Sequence, residues 1–258
     1  MRYKAAVLQF QPTPGNLEAN TTKALELLRN AVRDGAKLVV VPELFAWGYD
    51  LPKAASSAET VKSGITSFKL QEEAKRRDIW VVGSIAERPE PPNTKPTISA
   101  FLAAPEGVSD GVRKIHLWGQ EPQYFAPGAR TKVLNSRLGR VGPVGCYDLE
   151  FPEVARAQAI KGAQLLVAPC AFFAADLFDL VTRARAIENG CWLLAANYIG
   201  LSADGKKFCG RSRIVGPDGR VLADAGEKEG YAMTDVDPIQ VLDERKKRPY
   251  LTELRKFD

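Results

Sequence analysis

Three side chains that could perform catalysis follow strand-like runs in this 258-residue sequence. Glu43 comes shortly after the apolar run KLVVV, Lys114 ends SDGVRK, and Cys146 follows RVGPVG. Active groups of α/β proteins collect at the ends of strands. A carboxylate, an ammonium group and a thiol can serve as base, cation and nucleophile. We therefore treat these three residues as candidate catalytic groups.

The segment GCYDLEFPEVARAQ predicts that Cys146 lies on a strand-to-helix turn, with Pro152 as the first helical residue. A thiol becomes a good nucleophile after it loses its proton, which a nearby base, a positive charge or a helix N-terminus favours. Backbone N–H groups at such a turn could also bind an oxyanion. Taken singly, the cysteine, the acid and the lysine each fit a purely structural role as well.

The histidine and cysteine content narrows the chemistry. His116 is the only histidine, which excludes metal sites built from several imidazoles. The four cysteines, at positions 146, 170, 191 and 209, show no CxxC spacing, so we expect neither a disulfide framework nor a zinc site. We interpret Cys191 and Cys209 as ordinary buried cysteines. If the strand at Lys114 continues, His116 lies on the same face as the lysine, and we interpret it as structural rather than as a proton carrier.

The elements that must position these groups alternate between strand-like and helix-like patterns, which is typical of an α/β fold. In the first half, AAVLQFQ, KLVVV and IWVVGSIA predict strands, and residues 17–34 and 67–77 predict helices, the first with Asn16 as its N-cap. In the second half, a helix that opens at Pro152 is followed by the strand QLLVA, a helix through about Asn189 and the strand WLLAA.

The two halves repeat one local pattern. GAKLVVVP at 35–42 and GAQLLVAP at 162–169 each combine a helix-ending glycine, a buried apolar strand and a proline that ends it. This repeat predicts a pseudo-symmetric pair of sheet-and-helix layers. Between the halves, residues 87–96 predict a proline-rich loop, and TISAFLAA and SDGVRKIHL predict paired strands. Residues 209–237 predict two strands around a turn at 217–219.

With 45% hydrophobic and 26% charged residues, the composition is close to the average for a soluble globular enzyme and allows a packed core; the net charge is +5. We expect one domain over 1–258, a cytoplasmic location, and no signal peptide, membrane partner or nucleic-acid partner. The one dense basic run, at 245–248, is interpreted as a solvated tail or as part of an arm from about residue 238 that docks on another subunit. Tyr250, Leu251 and Leu254 could reach that partner or cover their own core.

Longer strings around the three candidates closely resemble the nitrilase superfamily, the carbon–nitrogen hydrolases with a Glu-Lys-Cys triad. The strings are VVVPELFAWGY, RKIHLW followed by EPQYFAPG, and GCYDLEFPEVAR. RARAIENGCWLLAAN and GRSRIVGPDGRVLADAG also resemble later segments of the family, so the likeness extends over almost the full chain. The resemblance implies Glu43 as base, Lys114 as oxyanion stabiliser, Cys146 as nucleophile and Glu121 as a substrate-positioning residue.

The resemblance also implies a fold and a mechanism. The fold is an α/β four-layer α-β-β-α sandwich, usually assembled as a homodimer or a higher homo-oligomer. In the mechanism, Glu43 takes the thiol proton and Cys146 attacks the amide carbon. Lys114 and the backbone N–H of Tyr147 stabilise the tetrahedral oxyanion, and water activated by Glu43 then hydrolyses the thioester. This chemistry requires no metal and no organic cofactor.

The residues after the nucleophile indicate the branch. Cys146-Tyr147-Asp148 resembles the amidase-like branches more than the Cys-Trp-Glu of true nitrilases, so we expect hydrolysis of a small-molecule carboxamide to an acid and ammonia. An N-carbamoyl hydrolase of the same family is the alternative, and a non-catalytic binding or scaffold member is the alternative of another class. The candidates for the pocket lining are Trp47, Tyr49, Tyr124, Cys170 and Phe172.

Glu150 departs from the family's common pattern Cys-Tyr-Asp-x-Arg-Phe-Pro, because an acid stands where an arginine is usual. We interpret it as structural. Like Glu153, it lies near the start of the predicted helix, where negative charge suits the helix dipole, and it could pair with an arginine of a neighbouring loop. The alternative is that Glu150 recognises amides that bear an amine.

Overall fold

The computed structural model describes residues 1–88 and 94–255. Within these ranges the chain alternates strands and helices, with one 3-10 helix at Cys146–Glu150. In chain order the elements are β1 (Tyr3–Gln9), α1 (Leu17–Arg33), β2 (Ala36–Val40), α2 (Leu51–Ser56), α3 (Ile65–Arg77), β3 (Trp80–Glu87), β4 (Thr97–Ala104), β5 (Gly107–Val108), β6 (Val112–Arg113), α4 (Glu121–Tyr124), β7 (Leu134–Ser136), β8 (Gly139–Pro143), α5 (Pro152–Ile160), β9 (Leu165–Pro169), α6 (Ala175–Asn189), β10 (Trp192–Ala196), β11 (Arg213–Val215), β12 (Val221–Asp224), β13 (Gly230–Val236) and α7 (Gln240–Lys247).

The strands form two sheets with matching centres. The first has the order β13-β1-β2-β3-β4-β5, with β6 also pairing with β4, and the second has the order β12-β11-β10-β9-β8-β7. The three central strands of each sheet are parallel, β1-β2-β3 in one and β8-β9-β10 in the other. The next strand along, β4 or β11, is antiparallel in both sheets. The predicted pseudo-symmetric pair of halves is therefore confirmed, with β2 and β9 as the equivalent central strands.

Three apolar clusters separate four layers. One lies between the sheets and contains side chains from both, among them Val40 and Val167. A second packs the other face of the first sheet against α1 and α3, and a third packs the second sheet against α5 and α6. Strands covered on both faces need apolar residues at nearly every position, which explains the unbroken runs in β2 and β9. The α-β-β-α sandwich expected from the sequence is confirmed.

The helix boundaries agree with the predicted ones to within two residues where they were specified. The Asn16 side chain accepts a hydrogen bond from the Ala19 N–H at 3.0 Å and so caps α1, which ends at Arg33. Gly35 follows with φ +102°, a conformation that favours glycine. α3 begins at Ile65, two residues before the predicted start.

Two connecting regions differ from expectation. β4 pairs with β6 as predicted, but β6 stops at Arg113 and does not include the lysine that follows. The region 209–237 contains three strands rather than two, because β13 leaves the β11–β12 hairpin and joins the first sheet beside β1. Part of the predicted proline-rich loop, 89–93, lies outside the described residues.

The basic run at 245–248 is partly structural rather than a solvated tail. The Arg245 guanidinium donates to the Ala163 carbonyl at 2.7 Å and lies 3.0 Å from the Cys191 sulfur, so it anchors α7 to the second half. The Glu244 carboxylate pairs with both Lys247 and Arg248. Leu251 packs against the third apolar cluster, whereas Tyr250 and Leu254 are each 48% exposed. In 1–88 and 94–255, the structure contains no helix with both the length and the apolarity to cross a bilayer.

Candidate active site

Four buried side chains from separate segments of both halves meet in one cluster. The ammonium group of Lys114 lies 3.0 Å from Glu43 Oε1, 2.7 Å from Glu121 Oε1 and 2.9 Å from Glu121 Oε2. Cys146 lies next to them, and all four residues are at most 4% exposed. Three of the four are the residues first singled out by their positions after strands, and Glu121 is the residue that the family resemblance added.

Glu43 is held by both halves of the molecule. It follows β2, and its backbone N–H donates to the Cys170 carbonyl at 3.2 Å, just after the equivalent strand β9. The Tyr198 hydroxyl donates to the Glu43 carbonyl at 3.0 Å. Within the residues that the structure describes, the buried Glu43 Oε2 has no hydrogen-bond partner. One carboxylate oxygen therefore binds Lys114, and the other is free to accept a proton.

Glu121 fixes the far side of the lysine. It opens the short helix α4 and accepts hydrogen bonds from the Tyr49 hydroxyl and the Trp118 backbone N–H, each at 2.8 Å. Both carboxylate oxygens of Glu121 are therefore shared between Lys114 and a neutral donor. This arrangement holds the ammonium group of Lys114 at a fixed position between two carboxylates.

Asp148 connects the lysine segment to the cysteine segment, a role that the sequence analysis did not assign. Its carboxylate accepts the backbone N–H groups of Ile115 at 3.1 Å and His116 at 2.8 Å, immediately after Lys114. It also lies 2.8 Å from His116 Nδ1. The expectation that His116 continues the strand on the face of Lys114 is wrong, because these contacts turn the backbone away after β6. The imidazole instead stacks on Phe151 with ring centroids 3.6 Å apart.

Cys146 occupies the predicted strand-to-helix turn. β8 ends at Pro143, the 3-10 helix begins at the cysteine, and α5 begins at Pro152. The cysteine has φ +38°, a strained value for a residue with a side chain. Its sulfur accepts the Ala171 N–H at 3.4 Å. The next backbone N–H, that of Tyr147, lies in the first turn, where helical N–H groups lack an acceptor within the helix.

Burial and neighbouring groups shift the pKa values of Glu43, Cys146 and Lys114. Burial and the neighbouring Cys146 sulfur raise the pKa of Glu43 well above its ordinary value, although Lys114 opposes the shift. A hydrogen bond with Cys170 and burial raise the pKa of Cys146, so the resting sulfur is a thiol. Burial alone would lower the pKa of Lys114, but the carboxylates of Glu121 and Glu43 raise it well above its ordinary value. The lysine therefore remains a cation, and Glu43 binds a proton more tightly than an exposed glutamate does.

A cavity of about 170 Å³ adjoins the cysteine. A neighbouring cavity of about 290 Å³ shares Trp118 and Phe173 with it and also contacts Tyr49. The small volume suits a small molecule rather than a protein segment. The residues that line the first cavity are Trp118, Cys146, Tyr147, Glu150, Ala171, Phe172, Phe173, Ala174 and Leu177.

Of the five predicted lining residues, Phe172 lines the first cavity and Tyr49 the second. Trp47, Tyr124 and Cys170 line neither. Trp47 and Tyr124 pack against the apolar cluster between the first sheet and helices α1 and α3. Cys170 is fully buried, and its thiol donates to the Ala168 carbonyl at 3.3 Å. All five stay predictions for the substrate pocket, because aromatic and cysteine residues in loops can turn either to the core or to a cavity.

Asn197 holds the backbone of Phe172, a residue that lines the cavity, and the sequence analysis did not identify it. Its side-chain oxygen accepts the Phe172 N–H at 2.7 Å, and its amide group donates to the Phe172 carbonyl at 3.2 Å and the Gly210 carbonyl at 2.8 Å. The available signal was an asparagine directly after the strand WLLAA, and the structure shows that it is fully buried. Trp118 had a similar signal, since it lies three residues before Glu121.

Among the residues that the structure describes, no arginine pairs with the Glu150 carboxylate. The Arg185 guanidinium instead donates to two backbone carbonyls, that of Leu149 at 2.8 Å and that of Glu150 at 3.3 Å. The proposed side-chain pairing is therefore wrong for the residues that the structure describes. Glu150 lines the cavity next to Cys146, four residues along the chain.

Comparisons with known proteins identify the family of the chain. Residues 4–243 match the family model described as carbon-nitrogen hydrolase. The chain is 32% identical to a deaminated glutathione amidase of Synechocystis sp. (strain PCC 6803 / GT-S), over 96% of this chain and 97% of that protein. It resembles the structure of Saccharomyces cerevisiae Nit3, a member of branch 10 of the nitrilase superfamily, with a TM-score of 0.88 and 28% identity, over 99% of this chain and 97% of that one.

A second solved structure concerns the cysteine directly. It is a Glu-to-Gln mutant of the amidase from Nesterenkonia sp. AN1 that shows the result of Michael addition of acrylamide at the active-site cysteine. The likeness has a TM-score of 0.83 and 29% identity, over 95% of this chain and 97% of that one. The fold, the buried Glu-Lys-Cys cluster and these similarities together place the chain in the carbon–nitrogen hydrolase family, as an enzyme of the nitrilase superfamily.

Proposed function

We propose that this protein hydrolyses small-molecule carboxamides to a carboxylic acid and ammonia through a thioester on Cys146. The observation that carries the proposal is the Lys114 ammonium group, fixed between Glu43 and Glu121 next to a cavity that Cys146 lines. The amidases among the similar proteins support the reaction class. Such a cation and a free carboxylate oxygen suit acyl transfer, in which a proton leaves the nucleophile and negative charge develops on oxygen.

In the first half-reaction, Glu43 takes the thiol proton through its free oxygen, and the sulfur of Cys146 attacks the amide carbon. The carbonyl oxygen becomes an oxyanion, stabilised by the Lys114 ammonium group and the Tyr147 N–H. Glu43 returns its proton to the amide nitrogen, the carbon–nitrogen bond breaks, and ammonia leaves. The raised pKa of Glu43 suits both transfers, because the group must bind the proton and then release it.

In the second half-reaction, Glu43 takes a proton from water as the hydroxide attacks the thioester carbon. A second oxyanion forms at the same place and is stabilised by the same two donors. When the carbon–sulfur bond breaks, the acid leaves and the sulfur recovers its proton from Glu43. The products balance as one carboxylic acid and one ammonia for each amide and water consumed.

The test is a panel of short carboxamides and N-carbamoyl compounds assayed for ammonia and carbon dioxide, with intact mass to detect the acyl-enzyme. We expect ammonia without carbon dioxide from carboxamides, and a mass increase that corresponds to the acyl group. Cys146→Ala should abolish both signals. Cys191→Ala is the matched control, because that thiol lies on the second half beside Arg245 rather than in the cavity. Turnover by Cys146→Ala would refute the proposal, and carbon dioxide release would indicate the carbamoyl alternative.

A further inference from the structure

Glu150 differs chemically from the rest of the cavity wall. The other residues that line the cavity are aromatic, aliphatic or the nucleophile, and four of them are the aromatic side chains of Trp118, Tyr147, Phe172 and Phe173. Among the lining residues that the structure describes, only Glu150 has a side chain of a type that is normally charged at neutral pH. The cavity is therefore apolar with a single carboxylate.

The backbone at this carboxylate is fixed. Arg185 is 7% exposed and holds the Leu149 and Glu150 carbonyls at the end of the 3-10 helix. Its remaining contact, at 3.0 Å, is with Glu188 rather than with the Glu150 carboxylate. The arginine positions the residue without neutralising its charge.

A carboxylate in apolar surroundings is unfavourable until a cation pairs with it. Burial raises the pKa of Glu150, which shows that its carboxyl group is partly removed from water. Aromatic faces add to the attraction for a cation. An ammonium group in this cavity would satisfy both features, whereas a second carboxylate would be repelled.

We propose that Glu150 recognises a positive charge on the acyl part of the substrate, so that the preferred substrates are small carboxamides that carry a protonated amine. This inference rests on the proposed amidase function. The reacting carbonyl lies at Cys146, and the ammonium group lies against Glu150 and the aromatic wall. Differential recognition of this kind changes kcat/KM for cationic amides relative to neutral amides of the same shape.

The experiment compares matched amides in wild-type protein and variants. Glycinamide is paired with propionamide, and β-alaninamide with butyramide, so that each pair differs by an ammonium group in place of a methyl group. The readout is the ratio of kcat/KM values within a pair. We expect wild-type protein to favour the cationic member of at least one pair by about tenfold or more. Glu150→Gln should lower that ratio at least about tenfold, since it removes the charge and keeps the shape.

Glu153→Gln is the matched control. Glu153 is an exposed acid in the first turn of α5, so this change removes the same charge near the same helix but outside the cavity. The control should keep the wild-type ratio. An unchanged ratio in Glu150→Gln, or an equal fall in both variants, overturns the inference. If Glu150→Gln does not fold, Glu150→Asp is tested instead and must keep the preference for the cationic amide. Loss of that preference in Glu150→Asp also overturns the inference.

The outcomes separate this inference from the function on which it rests. Wild-type turnover of neutral amides without any cationic preference overturns the role of Glu150 alone. Absence of ammonia from every amide, together with absence of an acyl-enzyme, overturns the proposed function and the inference with it.

Discussion

Asp148→Asn tests whether the contact between the lysine and cysteine segments is needed for catalysis. Asparagine has almost the same shape as aspartate, but one carboxylate oxygen becomes an NH₂ group that cannot accept the Ile115 or His116 N–H. The wild-type contacts are 3.1 and 2.8 Å long, and Asp148 is 2% exposed. A hydrogen bond to a charged group contributes about 1.5–3 kcal/mol, so the free energy of unfolding should fall by about that amount.

The effect on activity follows from the position of these contacts. Ile115 and His116 come directly after Lys114, so the loss of one bond lets the lysine backbone move relative to Cys146. A misplacement of about 1 Å can cost about a hundredfold in rate. We expect kcat to fall about ten- to a hundredfold with little change in KM, because Asp148 is not among the residues that line the substrate cavity.

The assay combines urea unfolding with steady-state kinetics on a neutral amide at a temperature where the variant is fully folded. Asp110→Asn is the control, since Asp110 is an exposed acid that pairs with Lys132 at 2.7 Å on the surface. That change should alter the unfolding free energy by less than about 1 kcal/mol. If Asp148→Asn lowers stability but keeps kcat within about threefold, Asp148 is only structural. If stability does not change, the hydrogen-bond argument itself is wrong.

Four further predictions concern the site and the C-terminal helix. Lys114→Ala should lower kcat at least about a hundred- to a thousandfold, as expected for the loss of an oxyanion donor. Glu43→Gln should fail to form the thioester, and normal acylation by this variant would contradict the role of Glu43 as base. Glu43 must be ionised to act as base, and its pKa is raised. As the pH is lowered, kcat/KM on a neutral amide should therefore begin to fall at a pH above about 4.3, the ordinary pKa of glutamate. A fall that occurs only at or below that pH would show that the pKa shift is absent. Arg245→Ala should lower the unfolding free energy by about 2–4 kcal/mol in urea titrations while leaving KM unchanged, because it removes contacts to Ala163 and Cys191, which do not line the cavity.

The parts of the molecule that the sequence predicted are those with a local signal. The repeats at 35–42 and 162–169 predicted β2 and β9 because a strand covered on both faces must be apolar throughout. The strings around Glu43, Lys114 and Cys146 predicted one site because each residue follows a strand. The homo-oligomer implied by the family resemblance stays a prediction.

The parts that were missed or wrong depend on contacts distant along the chain. Asp148 accepts hydrogen bonds from the backbone N–H groups of Ile115 and His116, and Ile115 lies thirty-three residues before it in the sequence. The strand that was expected to continue through His116 ends before these contacts. Trp118 rather than Trp47 lines the cavity because the loop conformation, and not the residue type, decides which way an indole points. Residue type alone does not distinguish these two tryptophans.

The site is divided between the two halves of the chain. Glu43 and Lys114 belong to the first sheet and its loops, whereas Cys146 and the Cys170 and Tyr198 groups that hold Glu43 belong to the second. A chain cut between the halves would therefore carry Glu43 and Lys114, the proposed base and cation, on one fragment and Cys146, the proposed nucleophile, on the other. Turnover would return only when the two fragments dock with their sheets face to face. A measurement of enzymatic activity would therefore detect assembly of the two sheets, whereas recovery of secondary structure within a single half would produce no activity.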